Sequence, residues 1–229
     1  MNFLRNKIYR VLAAYYWAAY LLHHALCLRP GKALKNSRLI VVGSFRAGGA
    51  GKTPFSLWLA KEFLKQGHSV AVLCHRLAYD EVLLCRKELS PFIQQGTAQV
   101  IGTGNRYKTA HQLDNQGYTK DSIAGSAAHF APDYIICDDG FEDSRLRPAT
   151  IFRLDWENPP TDINQLVPAG PFRSLWQDHR KDESRTIVLK CSGTNPDVLF
   201  RIDRIENTLG NTPTRGKIIA ICGLGDPER

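Results

Sequence analysis

Arg38-Leu39-Ile40-Val41-Val42-Gly43-Ser44-Phe45-Arg46-Ala47-Gly48-Gly49-Ala50-Gly51-Lys52-Thr53-Pro54 is the stretch that decides the fold. Its first six residues are a short apolar run of the kind that makes a strand buried on both faces. The glycines that follow let the backbone curl so that successive N–H groups point inward. The helix opening behind them adds the positive end of its dipole. Phe55, Leu57, Trp58, Leu59, Phe63 and Leu64 give that helix an apolar face over 53–66. In such a setting Lys52 reaches the β- and γ-phosphates of a nucleotide, and the Thr53 hydroxyl ligates Mg²⁺. The usual pattern has glycine six residues before the lysine, where this chain has Arg46. The match is therefore to a variant, G-G-x-G-K-T. The expected phosphate cradle is Arg46, Ala47, Gly48, Gly49, Ala50, Gly51, Lys52 and Thr53.

A second apolar run, Tyr134–Cys137, leads into Asp138-Asp139-Gly140-Phe141. An acidic residue at the end of a buried strand is the usual second element of a phosphate-loop site, where it holds Mg²⁺ directly or through water. Asp138 and Asp139 are thus the expected metal residues beside Thr53. Further strands are expected near 38–43, 69–74, 98–102, 133–138, 149–154, 185–190 and 217–222, and helices near 53–66, 106–116 and 122–130. Strands alternating with helices behind a phosphate loop predict an α/β fold of the P-loop NTPase type, with a mostly parallel sheet flanked by helices.

The chain has 229 residues and a net charge of +8, with 43% apolar and 23% charged residues, so disorder is not the default. The positive excess is localised. Residues 1–61 hold ten Lys or Arg and no acidic residue, whereas the rest holds 20 basic and 22 acidic groups. A basic end carrying an apolar run suits a membrane surface better than a nucleic acid, and no nucleic-acid partner is expected. Val11–Leu28 is 18 residues without a formal charge, about 27 Å as a helix. Arg5, Lys7 and Arg10 precede it, and Arg29, Lys32 and Lys35 follow. Three readings fit: a membrane anchor, a helix lying in the interface, or a core helix with basic flanks. No cleavage site of signal-peptide type follows the run. The expected division is 1–36 for this helix and its flanks and 37–229 for the α/β domain. The six cysteines show no paired spacing, which suits reduced structural thiols.

Taken together, these elements resemble the tetraacyldisaccharide 4′-kinase family. The likeness runs in order through the apolar helix with Leu28-Arg29-Pro30-Gly31, then Val42-Gly43 through Pro54, then Asp138-Asp139-Gly140-Phe141. It continues through Leu166-Val167-Pro168-Ala169-Gly170-Pro171-Phe172-Arg173 and ends at Gly223-Leu224-Gly225-Asp226-Pro227-Glu228-Arg229. The resemblance implies an ATP- and Mg²⁺-dependent kinase at the cytoplasmic face of a Gram-negative inner membrane. Its acceptor would be the 4′-hydroxyl of a lipid A precursor glycolipid, tetraacyldisaccharide 1-phosphate. Family members place a base in a Gly-Asp-Glu-Pro segment, which maps onto Asp80-Glu81, with Asp80 as the expected base. Arg106 and Arg173 are expected phosphate or headgroup contacts. The family's D-D-G-F-Q-H reads Asp138-Asp139-Gly140-Phe141-Glu142-Asp143 here. Its Glu after the arginine is Ser174, and its Asn after Val-Gly is Ser44. Family members also continue beyond the point matching Arg229, so a C-terminal part of the fold, with a histidine partner for the base, is expected to be missing. Two other readings stay open: a nucleotide-binding remnant without the chemistry, and another P-loop NTPase of the switch type.

Overall fold

The computed structural model describes residues 2–27, 31–116, 130–146 and 149–200. Its order is α1 (Asn2–Cys27), β1 (Arg38–Gly43), α2 (Lys52–Lys65), β2 (Val70–His75), α3 (Tyr79–Glu88), α4 (Ser90–Gln94), β3 (Ala98–Thr103), α5 (Arg106–Gln116), β4 (Tyr134–Asp138), β5 (Thr150–Asp155) and β6 (Thr186–Lys190). The six strands form one sheet in the order β3-β2-β4-β1-β5-β6, every pairing parallel.

Alternation along each strand divides the core into two layers. Ile40 and Val42 of β1, Val70 and Val72 of β2 and Ile136 of β4 pack with Phe55, Leu59 and Leu64 of α2. Leu39, Val41, Ala71, Leu73, Ile135 and Cys137 point the other way, onto Ala110 and Leu113 of α5 and Ala13 of α1. Both faces are covered, which explains why the strands read as continuous apolar runs rather than alternating ones.

Six of the expected strands and the helices at 53–66 and 106–116 are present within a residue or so of the expected ends. The strand expected at 217–222, the helix at 122–130 and the Gly223–Arg229 segment lie outside the described residues. The short helices α3 and α4 were not anticipated. Among the described residues no helix is long and apolar enough to cross a membrane. α1 lays one stripe on the domain. Ala13 is fully buried, and Tyr16 and Trp17 pack against the same layer. Ile8, Val11, Leu12, Tyr15 and Leu22 on α1 stay exposed.

The stretch between α1 and β1 is pinned by a single carboxylate. Asp114 of α5 accepts from the backbone N–H groups of Lys35, Asn36 and Ser37 at 2.7, 2.8 and 2.7 Å. Burial works to raise the Asp114 pKa, but those three donors outweigh it and hold the carboxyl below its usual range. This clamp fixes where β1 starts, and therefore where the loop behind it ends up.

Candidate active site

β1 is central and β4 is its neighbour, so the phosphate loop and the acidic turn emerge side by side at the carboxyl ends of the strands. The loop runs from Ser44 to Gly51 and hands over to α2 at Lys52. Gly49 and Gly51 take left-handed φ values of 66° and 74°, which only glycine adopts without strain. Gly51 is also hemmed in. A Cβ there would lie 2.4 Å from the Phe200 ring. Phe200 in turn stacks on Trp156 with centroids 5.9 Å apart, and the Trp156 indole N–H donates to the Ala50 carbonyl at 3.0 Å. Two aromatic side chains thus brace the last turn of the loop from outside. Gly43 answers a similar demand, since a Cβ would come within 2.2 Å of Phe141 Cβ.

The acidic turn meets the loop at two points. Asp138 is 1% exposed and accepts from Thr53 Oγ1 at 2.7 Å and from Ser56 Oγ at 2.8 Å. Burial raises its pKa, an effect the two hydroxyls offset only in part. Asp139 has φ 52°, unusual for a residue with a side chain. Its carboxylate lies 3.3 Å from Lys52 Nζ and 2.7 Å from an Arg173 nitrogen. Burial pushes the Asp139 pKa up, but the Lys52 and Arg173 charges overcome it and the net direction is down.

The residues expected to hold Mg²⁺ suit it. Thr53 hydroxyl and Asp138 carboxylate are hard oxygen donors already in contact, at the mouth of the loop. Among the described residues no group of three or more His, Cys, Asp or Glu could hold a metal by itself. Mg²⁺ needs only one or two protein ligands beside the phosphates and its own waters.

Two of the expected contact residues already have partners in the fold. Arg173 was expected to contact phosphate or headgroup, and its guanidinium meets Asp139 and, at 2.5 Å, the Ala47 carbonyl of the loop. Backbone bonds from Arg173 N to Phe45 O and from Ala47 N to Pro171 O, both 2.8 Å, lash the Pro168–Arg173 segment to the loop. Arg173 is a strut between loop and acidic turn. Arg46, expected in the phosphate cradle, is 7% exposed and ion-pairs with Glu157.

Asp80 and Glu81 occupy the first turn of α3, with Asp80 exposed. Glu81 is the inward member. Burial raises its pKa, and the charges of Asp138, Asp139 and Asp80 push the same way against the pull of Lys52. Arg106 opens α5 near the acidic turn, where its charge favours the ionised forms of Asp138 and Asp139. Its Nε is buried without a hydrogen-bond partner.

Sequence reading missed several partners. Ser56 stands three residues after Thr53, a spacing that places both hydroxyls on one helix face. Glu142, Ser174, His179 and Tyr20 form a network behind the acidic turn. Ser174 Oγ donates to Glu142 at 2.8 Å, and His179 Nε2 lies 2.9 Å from Ser174 Oγ and 3.3 Å from Tyr20 Oη. His179 is 1% exposed and stacks on Phe141. Nothing local in the polar segment around His179 signals that role.

A family model described as tetraacyldisaccharide-1-P 4′-kinase matches residues 6–76. Tetraacyldisaccharide 4′-kinases from Chlamydia caviae, Haemophilus influenzae and Pseudomonas entomophila are 32%, 25% and 25% identical, over 82%, 93% and 83% of this chain. The chain is similar in sequence to the tetraacyldisaccharide 4′-kinases over most of its length. It spans 49%, 66% and 59% of the length of those three relatives. The structure of LpxK from Aquifex aeolicus in complex with ATP superposes with a TM-score of 0.55 at 20% identity. That overlap covers 84% of this chain and 60% of the other, and it establishes a shared fold.

Proposed function

We propose that the chain binds ATP at Gly48–Thr53 and transfers its γ-phosphoryl group to the 4′-hydroxyl of a tetraacyldisaccharide 1-phosphate, at the cytoplasmic face of a Gram-negative inner membrane. The observation that carries this reading is the meeting of Lys52, Thr53, Asp138 and Asp139 around a loop whose kinase relatives span most of the chain.

Phosphoryl transfer is mainly positioning and charge neutralisation. Lys52, now on Asp139, is within reach of the β- and γ-phosphates and would exchange one anionic partner for another. Thr53 and Asp138 would hold Mg²⁺, which draws charge from the β- and γ-oxygens when bound. Arg173 keeps Asp139 and the loop carbonyl in fixed relation, so the phosphate-facing N–H groups are set before the nucleotide arrives. Arg106 adds positive charge on the acceptor side. The proton of the attacking hydroxyl needs an acceptor, and we assign it to the acidic pair on α3. Glu81 is the inward member of the pair, and burial raises its pKa. Asp80, which the family resemblance singled out, is its outward neighbour.

The lipid acceptor reaches this site along α1. The exposed stripe of Ile8, Val11, Leu12, Tyr15 and Leu22 suits a helix lying in a headgroup region. The opposite stripe, through Trp17 on Asp178 and Tyr20 beside His179, joins that helix to the segments behind the acidic turn.

The test is transfer of γ-phosphate from ATP to tetraacyldisaccharide 1-phosphate in detergent micelles, comparing the chain with Lys52→Ala, Glu81→Gln and Asp80→Asn. Product from the parent, none from Lys52→Ala and a far larger loss in Glu81→Gln than in Asp80→Asn support the reading. The reverse order moves the base to Asp80. ATP binding without product from the parent refutes the kinase assignment.

A further inference from the structure

Trp17 and Tyr20 stand three residues apart on α1, so they share one face of that helix. Their polar ends meet consecutive residues of the segment behind the acidic turn. The Trp17 indole N–H donates to an Asp178 carboxylate oxygen at 3.4 Å, and Tyr20 Oη lies 3.3 Å from His179 Nε2. His179 is fully enclosed. Its ring stacks on Phe141 with centroids 4.2 Å apart and meets Phe45 edge-on at 5.7 Å, while Phe45 and Phe141 meet each other at 5.3 Å. Phe45 stands at the root of the phosphate loop, and Phe141 closes the Asp138-Asp139 turn. One imidazole therefore touches α1 and both halves of the site.

The neighbours of His179 fix where its proton sits. Burial works to raise the Glu142 pKa, but His179, Ser174 and Tyr20 outweigh it and hold the carboxyl below its usual range. An ionised carboxylate only accepts hydrogen bonds. Ser174 Oγ gives its one proton to Glu142 at 2.8 Å, so the 2.9 Å contact between Ser174 Oγ and His179 requires the proton on Nε2. The other Glu142 oxygen is buried without a hydrogen bond and lies 3.6 Å from the same Nε2. A ring needed only for packing would serve as phenylalanine, with no polar atom to desolvate. The Nε2 proton is what an imidazole adds here. It ties Ser174, which follows the Arg173 strut, to Glu142, which follows Phe141.

We propose that His179 is a positioning residue for the transfer step. Its ring and its Nε2–H hold the phosphate loop and the acidic turn in register, and Tyr20 makes that register depend on α1 being docked. The proposal rests on the kinase reading of the site and adds a link from the helix with the exposed apolar stripe to the residues that meet phosphate. His179 acts only through Phe45, Phe141, Ser174 and Glu142. When α1 shifts, Tyr20 leaves the Nε2–Glu142 pair and the acidic turn loses part of its backing.

The experiment compares the full chain with His179→Phe, which keeps a ring and loses the donor, with Tyr20→Phe, and with the double variant. Transfer from Mg-ATP to tetraacyldisaccharide 1-phosphate in micelles gives kcat and both KM values, and the thermal midpoint reports folding. His179→Phe is expected to lose about tenfold in kcat, the effect of one buried hydrogen bond, with each KM within about twofold. Tyr20→Phe should lose kcat to a smaller extent, and the double variant should be no slower than His179→Phe alone, because the two groups act through one link. An unchanged kcat in His179→Phe with a lowered midpoint overturns the proposal in favour of a structural role. Losses confined to KM, or losses that multiply in the double variant, overturn it as well. If His179→Phe does not fold, Tyr20→Phe decides alone, and an unchanged kcat there overturns the link. A parent that transfers no phosphate defeats the kinase reading by itself, and the His179 Nε2–H resonance seen by NMR then decides the positioning. A resonance that moves on adding Mg-ATP, and moves less in Tyr20→Phe, supports it; one that stays in place overturns it.

Discussion

Replacing Arg173 by Met removes a strut between the phosphate loop and the acidic turn. Its guanidinium makes two charge-assisted contacts, to Asp139 at 2.7 Å and to the Ala47 carbonyl at 2.5 Å. A hydrogen bond to a charged group contributes about 1.5–3 kcal/mol when it is lost from a buried place. The Arg173 and Asp139 side chains are 30% and 24% exposed, so water screens part of that. A net effect near 2 kcal/mol follows for the pair of contacts, equivalent to about thirtyfold in an equilibrium or rate constant. The loss should appear in ATP affinity, because the strut sets the loop before the nucleotide binds. Without Arg173, Asp139 keeps Lys52 as its remaining ion-pair partner, and its pKa rises towards the ordinary carboxylate range. Arg173→Lys keeps the charge but not the two-pronged fork, so it should fall between parent and Met. Calorimetric titration with Mg-ATP measures the affinity, and the thermal midpoint serves as a folding control. Arg173→Met binding ATP within about twofold of the parent, with an unchanged midpoint, would refute the strut.

Three further outcomes follow from the geometry. Asp114→Ala frees three backbone donors at the entry to β1 and should cost about 3 kcal/mol in urea unfolding, with little change in the urea m-value. Glu81 has a raised pKa in the fold. Its stability contribution is therefore present below its unfolded pKa and lost as pH rises through the folded value. Glu81→Gln should be more stable than the parent at neutral pH while losing transfer. The acidic limb of the parent's rate profile should lie above the usual carboxylate range and move down in Asp80→Asn. Gly51→Ala meets both a left-handed φ and the Phe200 ring. It should weaken ATP by about tenfold or more, read by the same calorimetry, as the loop end shifts to relieve a strain of roughly 1–3 kcal/mol.

The fold was largely legible because its signals are local. Arg38–Gly43, Val70–His75 and Tyr134–Asp138 are apolar runs bounded by turns, and G-G-x-G-K-T fixes what lies behind the first of them. The pairing of Thr53 with Asp138 also followed from residue types at strand and helix ends. What stayed hidden depends on side-chain direction over long separations. Arg173 carries the same charge whether it faces a headgroup or Asp139, and packing alone decides between them. Asp80 and Glu81 are adjacent, so which one turns inward is set by the rotation of α3 against β3, and α3 has weak helical periodicity. His179 lies 37 residues beyond Glu142 in a charged stretch, and its burial comes from the docking of that stretch and α1 on the acidic turn. The N-terminal run looked long enough to span a bilayer when counted by charge. Its tyrosines and histidines lower its hydropathy, and its aromatic stripe is spent on the domain.

The central claim is that the loop and acidic turn deliver phosphate to a lipid hydroxyl rather than only binding nucleotide. The most direct measurement is a single-turnover reaction with γ-labelled ATP and tetraacyldisaccharide 1-phosphate, followed by separating lipid from water and locating the label. The account predicts label in the lipid phase with the parent chain, and none with Lys52→Ala. Label that remains in ATP, or appears as inorganic phosphate, while the chain holds Mg-ATP would contradict it.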